Sequence, residues 1–469
     1  MPTYNPWLLP PTAKMRYLLT VLSLASLALA QYNISTMYGL GNDLANHSQV
    51  PSMLEIQNSR HFQFSLLNVH AYGFSPDIEQ DALFDFLSIG KDDTLRLGDP
   101  RRKALMDALD NRIMVAGGLE LQPFAMAYQF GKLYKTTLSF TYRPRIGFNL
   151  TFSDDFVDFA LNGNKQYRGT TVDLVKALRV STFFTHEFAL GGAFDLPVHL
   201  WALNPRKRRL RIGGRLKYYS VAAASYLNDP QATLRTAVDG SELEVKVNGD
   251  LRQSGFDDSF NGFDGAGTGY GADISVSHNL NAYTRISAAM VDIGRLSIVN
   301  ATAYAINQNL LFEGFELGVD FFDNRANIEI KNEEFDFESR EVKNQRFSMP
   351  LPTRMILAGE TGFVEKTDKR EVKYALHNAY LTYIQGFGNT AGRSVRPFVA
   401  VGYRANLRNR LSLGTNITAL SPGGFTAGAF LAVHTPLFNY SLGSANLLNA
   451  VTGNWLRGSD LAMNMSFSF

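Results

Sequence analysis

The chain has 469 residues, no cysteine, 45 Lys and Arg against 43 Asp and Glu, and 45% hydrophobic residues, with 12% aromatic. Lack of cysteine excludes a disulfide framework and a lipoprotein anchor, and a net charge of +2 gives no electrostatic reason to bind nucleic acid. Beyond residue 30 no apolar run reaches the roughly 18 residues of a spanning helix, which excludes helical membrane crossing.

Residues 1–30 read as a secretory signal peptide. Met15-Arg16 supplies a basic region, Tyr17 to Ala30 an apolar core, and Ala28-Leu29-Ala30 a small-residue cleavage pattern before Gln31. Met15 is an alternative start, because residues 1–14 are not signal-like. Residues 31–60 carry little periodicity and read as an N-terminal segment, either periplasmic or a plug inside a lumen.

From residue 61 the dominant pattern has a period of two, which is a β-strand with one greasy face. Phe62, Phe64, Leu66, His70, Tyr72 and Phe74 share one register. Asp92 to Asn111 reads as a short capped helix in a loop. Tyr134, Leu138, Phe140, Tyr142, Ile146, Phe148 and Phe152 then sit on one parity, with Lys135, Ser139, Arg143, Arg145 and Asn149 on the other. That register outruns a usual soluble strand, and Pro144 within it predicts a bulge or bend. Strand candidates lie near 61–74, 112–130, 134–152, 171–189, 208–226, 241–252, 267–279, 283–299, 302–320, 353–364, 372–386, 395–407, 409–420, 424–434 and 460–469. The fold class is therefore all-β, a single transmembrane antiparallel barrel over residues 61–469, with about 14 strands (range about 12–16) because such barrels favour even numbers.

Between these strands, Lys207, Arg209, Arg211, Arg215 and Lys217 share one parity opposite Leu210, Ile212, Leu216 and Tyr218. Cationic side chains are costly on a lipid face, so the stripe is expected to line the interior. It reads either as a wall attracting an anionic cargo or as a polar lumen whose charges pair with acids such as Glu242 and Glu244. Asp257 to Gly265 is acidic and Gly-rich but lacks the calcium-loop register, so a solvated turn is expected. Asn324 to Asn344 is charge-rich and reads as an exposed loop or extended hairpin.

The last strand is the clearest. Leu461, Met463, Met465, Phe467 and Phe469 are large and apolar, while Ala462, Asn464, Ser466 and Ser468 are small or polar. An oily terminal strand is an aggregation hazard in water and is satisfied in a bilayer. Its aromatic end resembles the signal that barrel-insertion machinery reads in bacterial outer-membrane proteins.

Leu161-Asn-Gly-Asn-Lys-Gln-Tyr-Arg-Gly169, Gly213-Gly214-Arg215-Leu216-Lys217-Tyr218, Gly267-Thr-Gly-Tyr-Gly-Ala-Asp-Ile274 and Ser287-Ala-Ala-Met-Val-Asp-Ile-Gly294 follow one another in order. Together they resemble a family of Bacteroidetes outer-membrane barrels of unknown function. That family is itself similar to the long-chain fatty-acid porins and to the barrel component of the type IX secretion system. The resemblance implies an outer-membrane location and the barrel fold.

Signatures of catalysis and metal binding are missing from the sequence. Eight His show no His-Glu-x-x-His spacing, and no Gly-x-Ser-x-Gly elbow occurs. His70 and His278 share the apolar parity of their strands, the one feature that points towards an outer-face hydrolase. The expectation is a non-enzymatic barrel without cofactor or metal. Its partners are outer-membrane lipid, the insertion machinery and a small hydrophobic or amphipathic molecule that it passes across the membrane. The alternative is a non-transporting barrel that acts through its loops as a secretion accessory or surface scaffold.

Overall fold

The computed structural model describes residues 50–54, 56, 61–74, 112–131, 135–155, 167–173, 179–196, 210–238, 242–256, 265–313, 340–367, 373–388, 397–407, 410–420, 424–435, 437–451 and 459–469, with the single residues 104, 106, 158 and 262. The strands are β1 (Phe62–Phe74), β2 (Arg112–Phe130), β3 (Thr136–Ser153), β4 (Thr171–Asp173), β5 (Arg179–Leu196), β6 (Leu210–Thr236), β7 (Glu242–Ser254), β8 (Gly267–Asn279) and β9 (Thr284–Glu313). They continue as β10 (Arg340–Pro350), β11 (Arg354–Thr367), β12 (Lys373–Gly386), β13 (Phe398–Leu407), β14 (Leu411–Leu420), β15 (Gly424–His434), β16 (Phe438–Ser444) and β17 (Ser459–Ser468). A short helix, α1 (Leu447–Val451), precedes β17.

Fourteen of these strands form the wall: β1, β2, β3, β5, β6, β8, β9 and β11 to β17 pair antiparallel in that order, and β17 returns to β1 to close the ring. The remaining three extend it. β7 fits between the upper halves of β6 and β9, where β8 fits between the lower halves. β10 likewise pairs with β9 above β11.

The wall separates two chemistries. On β3, Thr137, Thr141, Arg143, Arg145 and Thr151 are buried inside, while Leu138 and Ile146 are exposed outside. On β17, Ala462, Asn464 and Ser466 are buried inside, and Leu461 and Phe469 are exposed outside. An apolar outer face around a polar interior is the arrangement of a barrel bathed in hydrocarbon. No helix among the described residues is long and apolar enough to cross a membrane.

The structure corrects several sequence expectations. Segments 283–299 and 302–320 are not two strands: residues 284–313 run as the single strand β9. Segment 171–189 instead contains both β4 and the start of β5. β10 and β16 carry no clear alternation and were not expected; Arg340 to Asn344, read as loop, begins β10. Pro144 stays in the ladder opposite His186, and the bulge falls on the facing strand β2, between Glu120 and Phe124, where Pro123 interrupts donation. His70 is not on the apolar face. A bulge between Ser65 and Val69, with Leu67 at φ 55°, turns both Leu66 and Leu67 outward and sends His70 and Tyr72 inside.

Candidate functional site

The site is the lumen, and its first occupant is the chain itself. Val50 to Leu54 and Ile56 lie inside the barrel, with Pro51–Met53 forming one 3-10 turn. Side chains of the wall satisfy this segment's backbone. The Ser52 N–H donates to Ser275 Oγ at 2.7 Å, and Ser277 Oγ donates to the Ser52 carbonyl at 3.2 Å. Arg211 Nη2 donates to the Leu54 carbonyl at 2.8 Å. The Gln129 amide does both for Ile56, accepting its N–H at 3.0 Å and donating to its carbonyl at 3.1 Å. Gly213 makes the close approach feasible, since a Cβ there would stand 2.3 Å from the Ser52 nitrogen.

A band of paired charges crosses the interior on β2, β3, β5, β6, β8 and β9. Arg143 reaches Glu120 at 3.0 Å and Glu187 at 2.8 Å. Arg145 reaches Glu187 at 2.9 Å, Asp292 at 3.1 Å and Glu120 at 3.3 Å. Lys217 bonds Asp292 at 2.5 Å and Asp273 at 2.8 Å, and Arg215 pairs with Asp273. Four carboxylates thus face four cations with almost no solvent access, the condition under which buried charge is tolerated. The backbone assists at Asp292, which adopts a left-handed φ of 57° at a bulge in β9 and donates its N–H to Asp273 at 2.7 Å.

On the other side of the lumen an apolar cluster is set among buried polar side chains such as Asn378, Thr382, Asn416 and Thr418. Val50 and Met53 join Val291, Ile356, Ile384 and Phe398 in one buried cluster carried by β9, β11, β12, β13 and β15. Two cross-strand pairs shape it: Tyr380 lies over Gly402 and Phe430 over Gly414, each ring about where a Cβ would be. Higher up, Phe183, Val221, Leu296, Phe347, Met349 and Leu351 form a second buried cluster above the charged band. Nearer the short-turn end, Arg404 and Glu360 pair at 2.5 Å.

Of the basic stripe, Arg211, Arg215 and Lys217 are buried in the interior. Their partners are Asp195, Asp273 and Asp292 rather than Glu242 or Glu244; Glu244 instead sits at 2.8 Å from Lys246 on its own strand, on the upper extension of the wall. Lys207 and Arg209 lie outside the described residues, as do residues 1–30, most of Asp92 to Asn111, most of Asp257 to Gly265 and most of Leu161 to Gly169. Leu461, Met463, Met465, Phe467 and Phe469 share the outer face of β17. Sequence reasoning missed the roles of Glu120, Arg143, Arg145 and Glu187. The available signal was their register, because Arg143 stands opposite Glu187 and Glu120 opposite Arg145 on adjacent strands. Among the described residues no group of three or more His, Asp or Glu is arranged to hold a metal ion.

A family profile described as "Family of unknown function (DUF5723)" matches residues 52–445. No curated protein matches the chain. Among solved structures, the Ralstonia pickettii toluene transporter TbuX is similar, with TM-score 0.41 and 11% identity over 93% of this chain and 98% of that one. The Pseudomonas putida toluene transporter TodX has TM-score 0.41 and 11% identity over 94% and 98%. A Pseudomonas aeruginosa FadL homologue has TM-score 0.38 and 9% identity over 94% and 98%.

Proposed function

The chain belongs to the DUF5723 family of unknown function, and we propose from its lumen that it passes a small hydrophobic or amphipathic molecule across an outer membrane. One observation carries this reading: beside the ion-paired band the interior holds a contiguous apolar cluster. The charges of the band already have partners. The cluster lies on β9, β11, β12, β13 and β15, and Val50 and Met53 are packed into it. Small-molecule sites are lined mostly by apolar side chains with a few polar groups, and this cluster supplies such a lining. Residues 50–54 and 56 hold their place through side-chain hydrogen bonds to backbone, each worth on the order of 1 kcal/mol net, and through burial of Val50, Met53, Leu54 and Ile56 in two apolar clusters, worth about 1.5–3 kcal/mol per side chain. In this reading the segment is a plug, held by β2, β6 and β8 on one side and by the apolar cluster on the other, that must shift for a molecule to pass.

The test compares uptake of a fluorescent fatty acid and of a sugar by proteoliposomes. Because the chain has no cysteine, a Ser52→Cys/Ser275→Cys pair gives an unambiguous reducible lock. Fatty-acid uptake that falls on oxidation and returns on reduction supports the reading, and equal uptake in both states overturns it.

A second reading, a secretion accessory or surface scaffold that transports nothing, draws on the same lumen, which holds both the segment and the ion-paired band in this structure. Absence of uptake in every state, with the barrel folded, would favour it.

A further inference from the structure

A narrow cleft lies between the lumen segment and the wall at the short-turn end of the barrel. Ser52 lines it from the segment, and Asp195, Arg211, Ser277, Asn279 and Arg285 line it from the wall. These wall residues stand at the tips of neighbouring strands: β5 ends at Leu196, β6 begins at Leu210, β8 ends at Asn279 and β9 begins at Thr284. Counting its mouth, which opens to solvent, the cleft holds about 260 Å³ of empty space. Its enclosed part has room for about one oxygen atom.

Two buried donors at this cleft lack an acceptor. Arg211 is only 6% exposed, and its two Nη groups are fully used. Nη1 donates to Asp195 at 2.7 Å and to the Lys135 carbonyl at 3.1 Å, and Nη2 donates to Thr137 Oγ1 at 2.6 Å and to the Leu54 carbonyl at 2.8 Å. The remaining donor, the Nε–H, has no acceptor among the described residues. Ser52 is fully buried, with its N–H and its carbonyl both bonded to β8, yet its Oγ has no partner among the described residues either. Orphaned buried donors are costly and call for an acceptor. The charge of the lining indicates which kind. Arg211 and Arg285 are cations and Asp195 is the one anion among the lining residues, so two positive charges less one negative leave +1. Asp195 is already engaged, Oδ1 by Arg211 and Oδ2 by the Lys135 N–H at 3.0 Å. Arg285 is tethered beside the cleft by its Nε, which donates to Asn279 Oδ1 at 2.9 Å.

We propose that the cleft is a binding site for a small oxyanion, a phosphate or carboxylate, that sets one oxygen against Ser52 Oγ and Arg211 Nε and turns the rest towards Arg285. A water oxygen can accept from the two donors but leaves the positive charge unanswered, whereas an anionic oxygen meets both needs, and guanidinium groups suit oxyanions in particular. Ser52 belongs to the segment and both arginines to the wall, so the bound anion bridges the two and locks the segment in the lumen. An anion that binds only this arrangement lowers the population of released segment by the factor 1 + [anion]/Kd. The site is separate from the apolar cluster, and the inference does not depend on transport.

The experiment follows amide exchange at Ser52, Met53 and Leu54 in the full chain, held in phosphatidylcholine vesicles, while inorganic phosphate or acetate replaces chloride at constant ionic strength. At an anion concentration ~10 times its Kd, exchange at these amides should slow ~10-fold while exchange on β14 stays unchanged. Slowing by either anion supports the site, and the stronger of the two identifies the class it prefers. Arg285→Gln and Ser52→Ala, which spare the backbone hydrogen bonds of the segment, should each cut the slowing to less than ~2-fold. No slowing with either anion up to ~100 mM would mean that the cleft holds an ordered water only and would overturn the proposal. Slowing that both variants keep in full would overturn it as well, since the anion would then act elsewhere. Uptake plays no part in this readout: a barrel that slows with phosphate yet takes up nothing refutes transport and keeps the anion site, and uptake without slowing does the reverse.

Discussion

Arg143 Nη2 stands 2.8 Å from both carboxylate oxygens of Glu187, its direct neighbour across the β3–β5 ladder. Arg145 and Lys217 reach the same carboxylate, at 2.9 Å and 3.9 Å. Glu187 is therefore the hub of the ion-paired band, and its own side chain has no solvent access.

Removing that hub should be costly. Glu187→Gln leaves three buried cations short of a partner, and breaking a buried pair from one side costs about 3–5 kcal/mol. Urea unfolding in detergent micelles should show a midpoint far below the parent's. The double replacement Arg143→Met/Glu187→Leu should recover part of the loss. A single variant as stable as the parent would mean that the band contributes little to the fold.

Gln129 offers a gentler test of the lumen. Gln129→Leu deletes both hydrogen bonds to Ile56 while keeping most of the side-chain volume, at an expected cost of about 1–3 kcal/mol for groups left unpaired. Amide exchange at Ser52 to Leu54 and at Ile56 should quicken by about tenfold or more, while exchange on β3 stays unchanged. Unaltered exchange at Ile56 would show that the segment is held by its apolar contacts instead.

The aromatic rings over glycine make a steric prediction. A Cβ at Gly402 would fall 2.1 Å from Tyr380 Cζ, and one at Gly414 would fall 2.1 Å from Phe430 Cζ. Gly402→Ala and Gly414→Ala should each destabilise by about 1–3 kcal/mol, the usual cost of overpacking. Adding Tyr380→Leu to the first, or Phe430→Leu to the second, should relieve it, as a double-mutant cycle of heat-modifiable gel mobility would show.

On β17, position should decide the effect of a charge. Met465→Arg, mid-strand on the outer face, should cost about 2–4 kcal/mol and impair membrane assembly, whereas Leu461→Arg, at the strand's upper end, should cost about 0–1. The yield of heat-modifiable barrel in the membrane fraction measures both. Equal tolerance at the two sites would argue against a hydrocarbon environment for this face.

How much of this was legible in the sequence varied with how strictly each segment alternates. β2, β8, β14 and β17 stand within a residue or two of where period and turn residues put them. β16 escaped because Phe438-Asn439-Tyr440-Ser441-Leu442-Gly443-Ser444 is short and follows a turn, too brief to establish a period. His70 was assigned to the wrong face because a single bulge residue inverts every parity beyond it. The lumen was only half legible. Arg215, Lys217, Asp273 and Asp292 stood out as motif residues, yet nothing in a linear chain says that Lys217 will meet both acids at 2.8 Å and 2.5 Å. That meeting depends on strand order, and on the left-handed Asp292 whose bulge turns its carboxylate towards the lysine.

β9 continues from Val299 to Glu313 after its last pairing with β8 at Ile298, flanked there by β7 and β10. Fifteen further residues at ~3.3 Å each, tilted, carry that sheet on the order of 40 Å past the end of β8. Under the proposed outer-membrane placement with this end outward, this mast is the tallest part of the wall among the described residues. In that placement an antibody raised against intact cells should recognise the upper arms of β6, β7 and β9, and trimming them should strip those epitopes while the ring beneath stays closed.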